Sequence, residues 1–168
     1  MPLKIKPKPA SPVYDVVIVG AGPAGLGCAA ALKECGIENL AIVDRREVGA
    51  SFDAWPAQMR MISPSFHSNP FSQPDLNAIT PHTSPADYVH SEHPTGPEYA
   101  HYLRAIAEYY QVEVKTGIEI TGVKQSKGAL VVEGASKPLR ARHVIWTGGE
   151  FFFPRQEIKG VEHCIHNS

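Results

Sequence analysis

The chain has 168 residues, 43% of them hydrophobic and 20% charged, enough to bury one sizeable core but short for two full domains. Lys and Arg number 16 against 17 Asp and Glu, a formal charge of −1, so no electrostatic footprint marks it for nucleic acid or an anionic membrane surface. No run approaches the roughly 20 apolar residues of a membrane span, the start has no apolar signal core, and the cysteines include no CxxC pair, which together point to a cytoplasmic protein without a disulfide framework.

Residues 1–12, rich in Pro and Lys, cannot bury enough apolar surface to order themselves and read as a disordered tail. From Val13 to Gly20 the run is almost wholly β-branched or apolar after Asp15, the pattern of a parallel strand covered on both faces. Gly20-Ala21-Gly22-Pro23-Ala24-Gly25 follows, then an Ala- and Leu-rich helix from Leu26 to Glu34 that Gly36 ends. Asn39 to Asp44 is a second short strand, completing a βαβ unit with the right-handed crossover such units adopt.

Arg45 to Pro97 holds most of the prolines and little periodicity; so long a segment in a compact domain is expected to wrap a ligand or carry short helices. The apolar stripe Tyr99, Tyr102, Leu103, Ile106, Ala107 and Tyr110 predicts a helix over Pro97–Gln111, with Thr95 as its cap. Val112–Lys115, Ile118–Val123, Ala129–Glu133 and His143–Trp146 predict four short strands, with Gly128 and Gly134 in hairpin turns. The last strand runs straight into Thr147-Gly148-Gly149, as a strand does where its C-terminal end meets a ligand. Trp146, inside this apolar run, reads as a core aromatic, whereas Trp55 is balanced between core and site.

In Gly20-x-Gly22-x-x-Gly25 the first glycine permits a tight turn, the second lets backbone approach a pyrophosphate, and the third lets helix pack on strand. The helix N-terminus adds N–H groups and positive dipole for phosphate oxygens, and Pro23 sits where a missing N–H costs least. The glycine pattern alone is weak, but here it follows a strand, opens a helix and has Asp44 at the end of the next strand. Asp44 is expected to take a ribose hydroxyl pair, favouring a free 2′-OH; the bland alternative is a surface carboxylate paired with Arg45 or Arg46.

The stretch Asp15-Val-Val-Ile-Val-Gly-Ala-Gly-Pro-Ala-Gly-Leu26 resembles the FAD-binding fingerprint of the two-dinucleotide-binding flavoproteins, which include flavin-containing monooxygenases and thioredoxin-reductase-like enzymes. Gly49-Ala-Ser-Phe-Asp-Ala-Trp55 resembles their Gly-Gly-x-Trp turn, and Val144-Ile-Trp-Thr-Gly-Gly-Glu150 their Ala-Thr-Gly segment. Ala50 and Trp146 depart from the commonest family spelling and leave the subfamily open. The resemblance implies an α/β fold in three layers: a Rossmann-like FAD-binding domain over 13–168 with a central parallel sheet and a small antiparallel β insertion. It also implies FAD as cofactor, with Gly20, Gly22, Pro23, Ala24 and Gly25 on the pyrophosphate and Asp44 with Arg45 at the ribose. The backbone of Ile120 would meet adenine, Thr147 and Gly148 would lie on the flavin side, and Ser51, Trp55 and Met59 would stand beside the isoalloxazine.

Of the eight histidines, His67, His82, His90, His93 and His101 lack the helical spacing or cysteine partners of a zinc site, so no metal is expected. No nucleophile elbow stands out either, and the redox chemistry would be the flavin's. His166-Asn167-Ser168 resembles the His-Ser that precedes the NAD(P)H-binding region of the monooxygenase-like members, though a disordered tail is the plainer reading there. A second glycine fingerprint is absent, so the expectation is the FAD-binding part of an oxidoreductase moving hydride from NAD(P)H to FAD, cut before its nicotinamide domain. The alternatives are a non-catalytic module or split subunit completed by a partner chain, and an NAD-binding Rossmann dehydrogenase. The substrate is set by residues outside this span.

Overall fold

The computed structural model describes residues 13–67, 75–126, 128–134, 137–149 and 157–163; the expected tail over 1–12, Cys164 and the His166-Asn167-Ser168 segment lie outside the described residues. The first strand, β1 (Val13–Val19), is central. It pairs in parallel with β2 (Leu40–Val43) on one side and with β6 (Leu139–Trp146) on the other, Ile18 standing opposite both Ile42 and Ile145. Outside β2 lies β3 (Val114–Lys115), also parallel. Outside β6 lies β5 (Ala129–Gly134), antiparallel, and then β4 (Ile120–Ser126), giving one six-stranded sheet in the order β3-β2-β1-β6-β5-β4 in which β5 alone runs against the rest.

Alternation along β1 explains the layers. Val16 and Ile18, with Leu40 and Ile42, face two helices, α1 (Pro23–Glu34) and α3 (Gly96–Tyr109), through Leu26, Ala29, Tyr99, Tyr102, Leu103 and Ile106. Val17, Val19 and Val43 face the opposite way and form a second cluster with Val132 and Ala141, flanked by Ile120 and Leu139. A strand buried on both sides has no polar face to show, which is why β1 lacks the usual alternation.

The antiparallel strands expected as an insertion share the sheet: β6 uses Ala141 to meet both Tyr14 of β1 and Leu130 of β5. Gly128 turns the β4–β5 hairpin with φ of +74°, but Gly134, expected in a turn, ends β5 opposite Ile120. A Cβ there would stand 2.4 Å from the Glu119 carbonyl, so close strand contact demands glycine at 134, where β5 leads into its hairpin with β6.

The proline-rich segment carries two short pieces, α2 (Ala50–Asp53) and a 3-10 turn over Pro85–Asp87. Much of the rest is ordered by hydrogen bonds: Met61 N–H donates to the Pro94 carbonyl (2.8 Å) and Ser65 N–H to that of Glu92 (2.7 Å), laying one arm of the segment against the other. Buried Asp75 accepts from Asn77 N–H (2.7 Å) and Ser84 Oγ (2.6 Å). Tyr99 Oη donates to the Asn77 carbonyl (2.8 Å) and Tyr102 Oη accepts from Ile79 N–H (3.0 Å), which fastens this loop to α3; burial pushes both phenols' pKa up. Thr95 caps α3 in a reciprocal box with Glu98.

Candidate functional site

The turn between β1 and α1 divides into a part the protein holds and a part it leaves open. Gly20 N–H donates to the Val43 carbonyl (2.8 Å), and its φ of +115° is one that L side chains rarely adopt. A Cβ on Gly20 would stand 2.3 Å from the Thr147 carbonyl, and one on Gly25 only 1.9 Å from the Gly20 carbonyl. Around a Cβ on Gly22 nothing comes within 4 Å. Two of the glycines are therefore required by packing, and the middle one borders free space.

Gly22 is also the N-cap of α1 and offers no side-chain cap to the first turn, while Pro23 occupies a first-turn position. Pro23 is half-buried and Ala24 exposed. A helix N-terminus whose first N–H groups lack intrahelical partners, beside backbone with no Cβ, fits an anionic group such as a pyrophosphate. This region lies at the C-terminal end of β1, where parallel sheets place their ligands.

Thr147 and Asp44 enclose the turn from two sides. Thr147 N–H donates to the Val19 carbonyl (2.8 Å), and its hydroxyl lies 2.8 Å from the Val19 and 3.1 Å from the Gly20 carbonyl oxygen. Asp44, half-buried at the end of β2, accepts from Ala21 N–H on Oδ2 (2.7 Å) and from Arg46 N–H on Oδ1 (2.8 Å). The carboxylate is thus bonded to backbone, not paired with the Arg46 guanidinium as a surface ion pair would be. Arg45 beside it is exposed.

Gly49, at φ of +75°, starts α2 and donates to the Ala21 carbonyl (3.3 Å), bringing Ala50 and exposed Ser51 to the far side of the turn. Arg104 on α3 fixes this piece by reaching both Asp53 oxygens (2.8 and 3.3 Å) and the Val48 carbonyl (3.1 Å); the Asp53 bonds raise the guanidinium pKa further. Trp55 meets Phe52 in a tilted ring contact (5.0 Å), and Phe52 meets Tyr99 in another (4.7 Å), so the Phe52 ring joins α2 to the core. Met59, half-buried, sits in a turn closed by its N–H on the Pro56 carbonyl (2.8 Å). Ile120 begins β4, and Ile118 N–H donates to the Asp44 main-chain carbonyl (2.9 Å), which brings that end of the sheet beside Asp44.

Trp146 corrects an expectation. It is 62% exposed, not a core aromatic, because it ends β6 on the sheet face of Val19 and folds back over Gly148, where a Cβ would meet its indole Nε1 at 3.0 Å. Three contributors carried no readable signal: Ala21, whose N–H and carbonyl tie the turn to Asp44 and Gly49; Gly27, whose missing Cβ admits the Ile79 carbonyl to α1; and Arg104. Ala21 acts through backbone bonds, which leave no trace in side-chain identity.

A cavity of about 520 Å³ lined in part by Phe66, His67, Val89, His90 and Glu92 shares no residue with the glycine turn. Among the described residues, no group of three or more His, Cys, Asp or Glu is placed to hold a metal ion, and no helix is long and apolar enough to cross a membrane.

Fold and turn together define a Rossmann-like α/β domain. The model of the pyridine nucleotide-disulphide oxidoreductase family matches residues 17–168, and the chain belongs to that family. A bacillithiol disulfide reductase from Staphylococcus aureus superposes with a TM-score of 0.69 at 20% identity, covering 89% of this chain and 42% of that one. A mutant flavin monooxygenase from Stenotrophomonas maltophilia gives 0.65 at 24% identity, covering 89% and 43%. An FAD-dependent urate hydroxylase of Xanthomonas campestris is 45% identical over 53 residues, which are 32% of this chain and 11% of that protein. The chain spans less than half the length of these proteins, and the likeness to the solved structures is one of fold.

Proposed function

We propose that this chain is the FAD-binding part of a flavoprotein oxidoreductase, with Gly20, Gly22, Pro23, Ala24 and Gly25 forming the pyrophosphate turn, Gly20 and Gly25 shaping it and Gly22 with Pro23 and Ala24 meeting the phosphates, and with the adenosine ribose near Asp44 and Arg45. The observation that carries the reading is the contrast among the glycines: Gly20 and Gly25 are packed against protein, while Gly22 borders open space at the N-terminus of α1. Thr147 and Gly148 would extend the cradle toward the flavin, Ile120 would offer backbone to adenine, and Ser51, Trp55 and Met59 would form the wall beyond α2. Bound FAD would supply the redox chemistry; these residues bind, orient and exclude water.

In the whole protein, hydride would come from NAD(P)H and pass through FAD to a small substrate or O2. The chain spans 42% of the reductase structure it resembles, so we place the nicotinamide site outside residues 1–168, on further chain or on a partner. A cytoplasmic location suits the free thiols of Cys28 and Cys35.

Calorimetric titration of the purified chain with FAD and with NAD tests the assignment. FAD is expected to bind and NAD to bind more weakly or not at all. Tight NAD binding without FAD binding would replace this reading with a Rossmann dehydrogenase.

A further inference from the structure

We infer that Arg104 is a positioning residue for the dinucleotide site: it straps α2 onto α3 at both ends and so fixes the wall at the flavin end. The inference rests on the reading above, in which Ser51, Trp55 and Met59 stand beside the flavin, and assigns the residue that holds that wall in place.

α2 cannot hold itself. A four-residue helix is too short to be stable alone, and none of Ala50, Ser51, Phe52 and Asp53 is fully buried. Its place is set by α3. Gly96, Ala100 and Arg104 recur every four residues along α3 and so share one face of it. A Cβ on Gly96 would stand 2.1 Å from the Phe52 carbonyl oxygen, and one on Gly49 3.0 Å from the Ala100 Cα, so the first two positions admit the α2 backbone at close range. At the third, the guanidinium spans the whole element. Its Nη1 donates to the Val48 carbonyl (3.1 Å), just before the helix, and to Asp53 Oδ2 (2.8 Å) in its last residue, while Nη2 donates to Asp53 Oδ1 (3.3 Å).

The small residues make room but give no direction. A planar fork bonded to both carboxylate oxygens fixes rotation as well as distance, which a single point charge would not. Released from it, α2 would keep the Phe52 ring against Tyr99 (4.7 Å) and lose what holds its two ends, so Ser51 and Trp55 would lose their fixed place. The glycine turn keeps its own bonds, from Gly20 N–H to the Val43 carbonyl and from Ala21 N–H to Asp44, so the adenosine and pyrophosphate end stays formed.

The test titrates wild type and variants with FAD and with ADP, which carries the adenosine and pyrophosphate but no flavin. Arg104→Met keeps the apolar stem and drops the fork. It is expected to weaken FAD by about fivefold or more while ADP stays within about twofold of wild type. Asp53→Asn is expected to weaken FAD too, and its addition to Arg104→Met to cost no further affinity, because both break one strap. Wild-type FAD affinity in Arg104→Met, equal weakening of FAD and ADP, or additive losses in the double variant would overturn the inference. Both ligands are measured on one preparation, so partial unfolding of a variant cancels in their ratio.

Should wild type bind no FAD, the proposed function fails. In that case, or if ADP binds too weakly to compare, hydrogen exchange of the free chain decides the strap. The Phe52 and Asp53 amides, both bonded to the Gly49 carbonyl (2.8 and 3.2 Å), are then expected to exchange about fivefold faster or more in Arg104→Met, with Val17 and Ile42 unchanged. Equal exchange in variant and wild type overturns it.

Discussion

Asp44 and Thr147 enclose the same peptide from opposite sides of the sheet centre: one follows β2, the other follows β6, and the Gly20–Ala21 unit lies between them, its N–H bonded to Asp44 and its carbonyl 3.1 Å from a Thr147 hydroxyl whose proton it shares with the Val19 carbonyl at 2.8 Å. The strand order puts β2 and β6 on either side of β1, so two residues far apart in sequence close on the turn that leaves it.

Thr147→Val keeps shape and β-branching and removes the hydroxyl that reaches the Val19 and Gly20 carbonyls. A loss of about 1 kcal/mol in stability is expected by urea titration, accompanied by weaker FAD binding. Unchanged FAD affinity would show that the hydroxyl does not set the turn.

The two glycines of opposite surroundings separate folding from binding. Gly25→Ala puts a Cβ 1.9 Å from the Gly20 carbonyl and is expected to abolish cooperative unfolding or lower the melting temperature severely. Gly22→Ala meets nothing within 4 Å and is expected to cost about 1 kcal/mol or less, yet to weaken FAD by about tenfold or more. Wild-type FAD affinity in Gly22→Ala would remove the pyrophosphate from this position.

Trp146→Ala discriminates the exposed position from a core one. A core tryptophan costs about 3–5 kcal/mol on truncation, whereas the 62% exposed indole seen here is expected to cost about 1 kcal/mol or less in denaturant titration.

Acid titration reads the α3 cap. Hydrogen bonds from Thr95 N–H and hydroxyl hold the Glu98 carboxyl below its ordinary value of 4.5. A depressed folded pKa contributes stability that is present above the unfolded value and is lost as pH falls through the folded one, so the cap weakens as pH falls below that ordinary value of 4.5. Thr95→Ala is expected to cost about 1 kcal/mol at neutral pH, and Glu98→Gln to flatten the acid limb of the stability profile.

Much of this was legible in the residues. The unbroken apolar run of β1, the glycine turn, Gly36 as helix end and Thr95 as cap all act over a few neighbouring positions. Trp146 was misread because a strand's apolar run says nothing about where cover ends: Val144 and Trp146 share one face, but Val144 packs with the core while Trp146 lies exposed at the strand's end. Gly134 marks the entry to the β5–β6 hairpin, and close contact with the Glu119 carbonyl adds a second reason for its missing Cβ.

By itself the sequence determined the local chemistry: which residues turn, which start helices, and which glycines a phosphate could approach, since these follow from backbone sterics and side-chain type within a few positions. Only the tertiary structure decided what Asp44 holds. Its partner Ala21 is a backbone N–H across the sheet, and the pairing of β1 with β2 brings them to 2.7 Å, a relation that no pattern of side chains encodes.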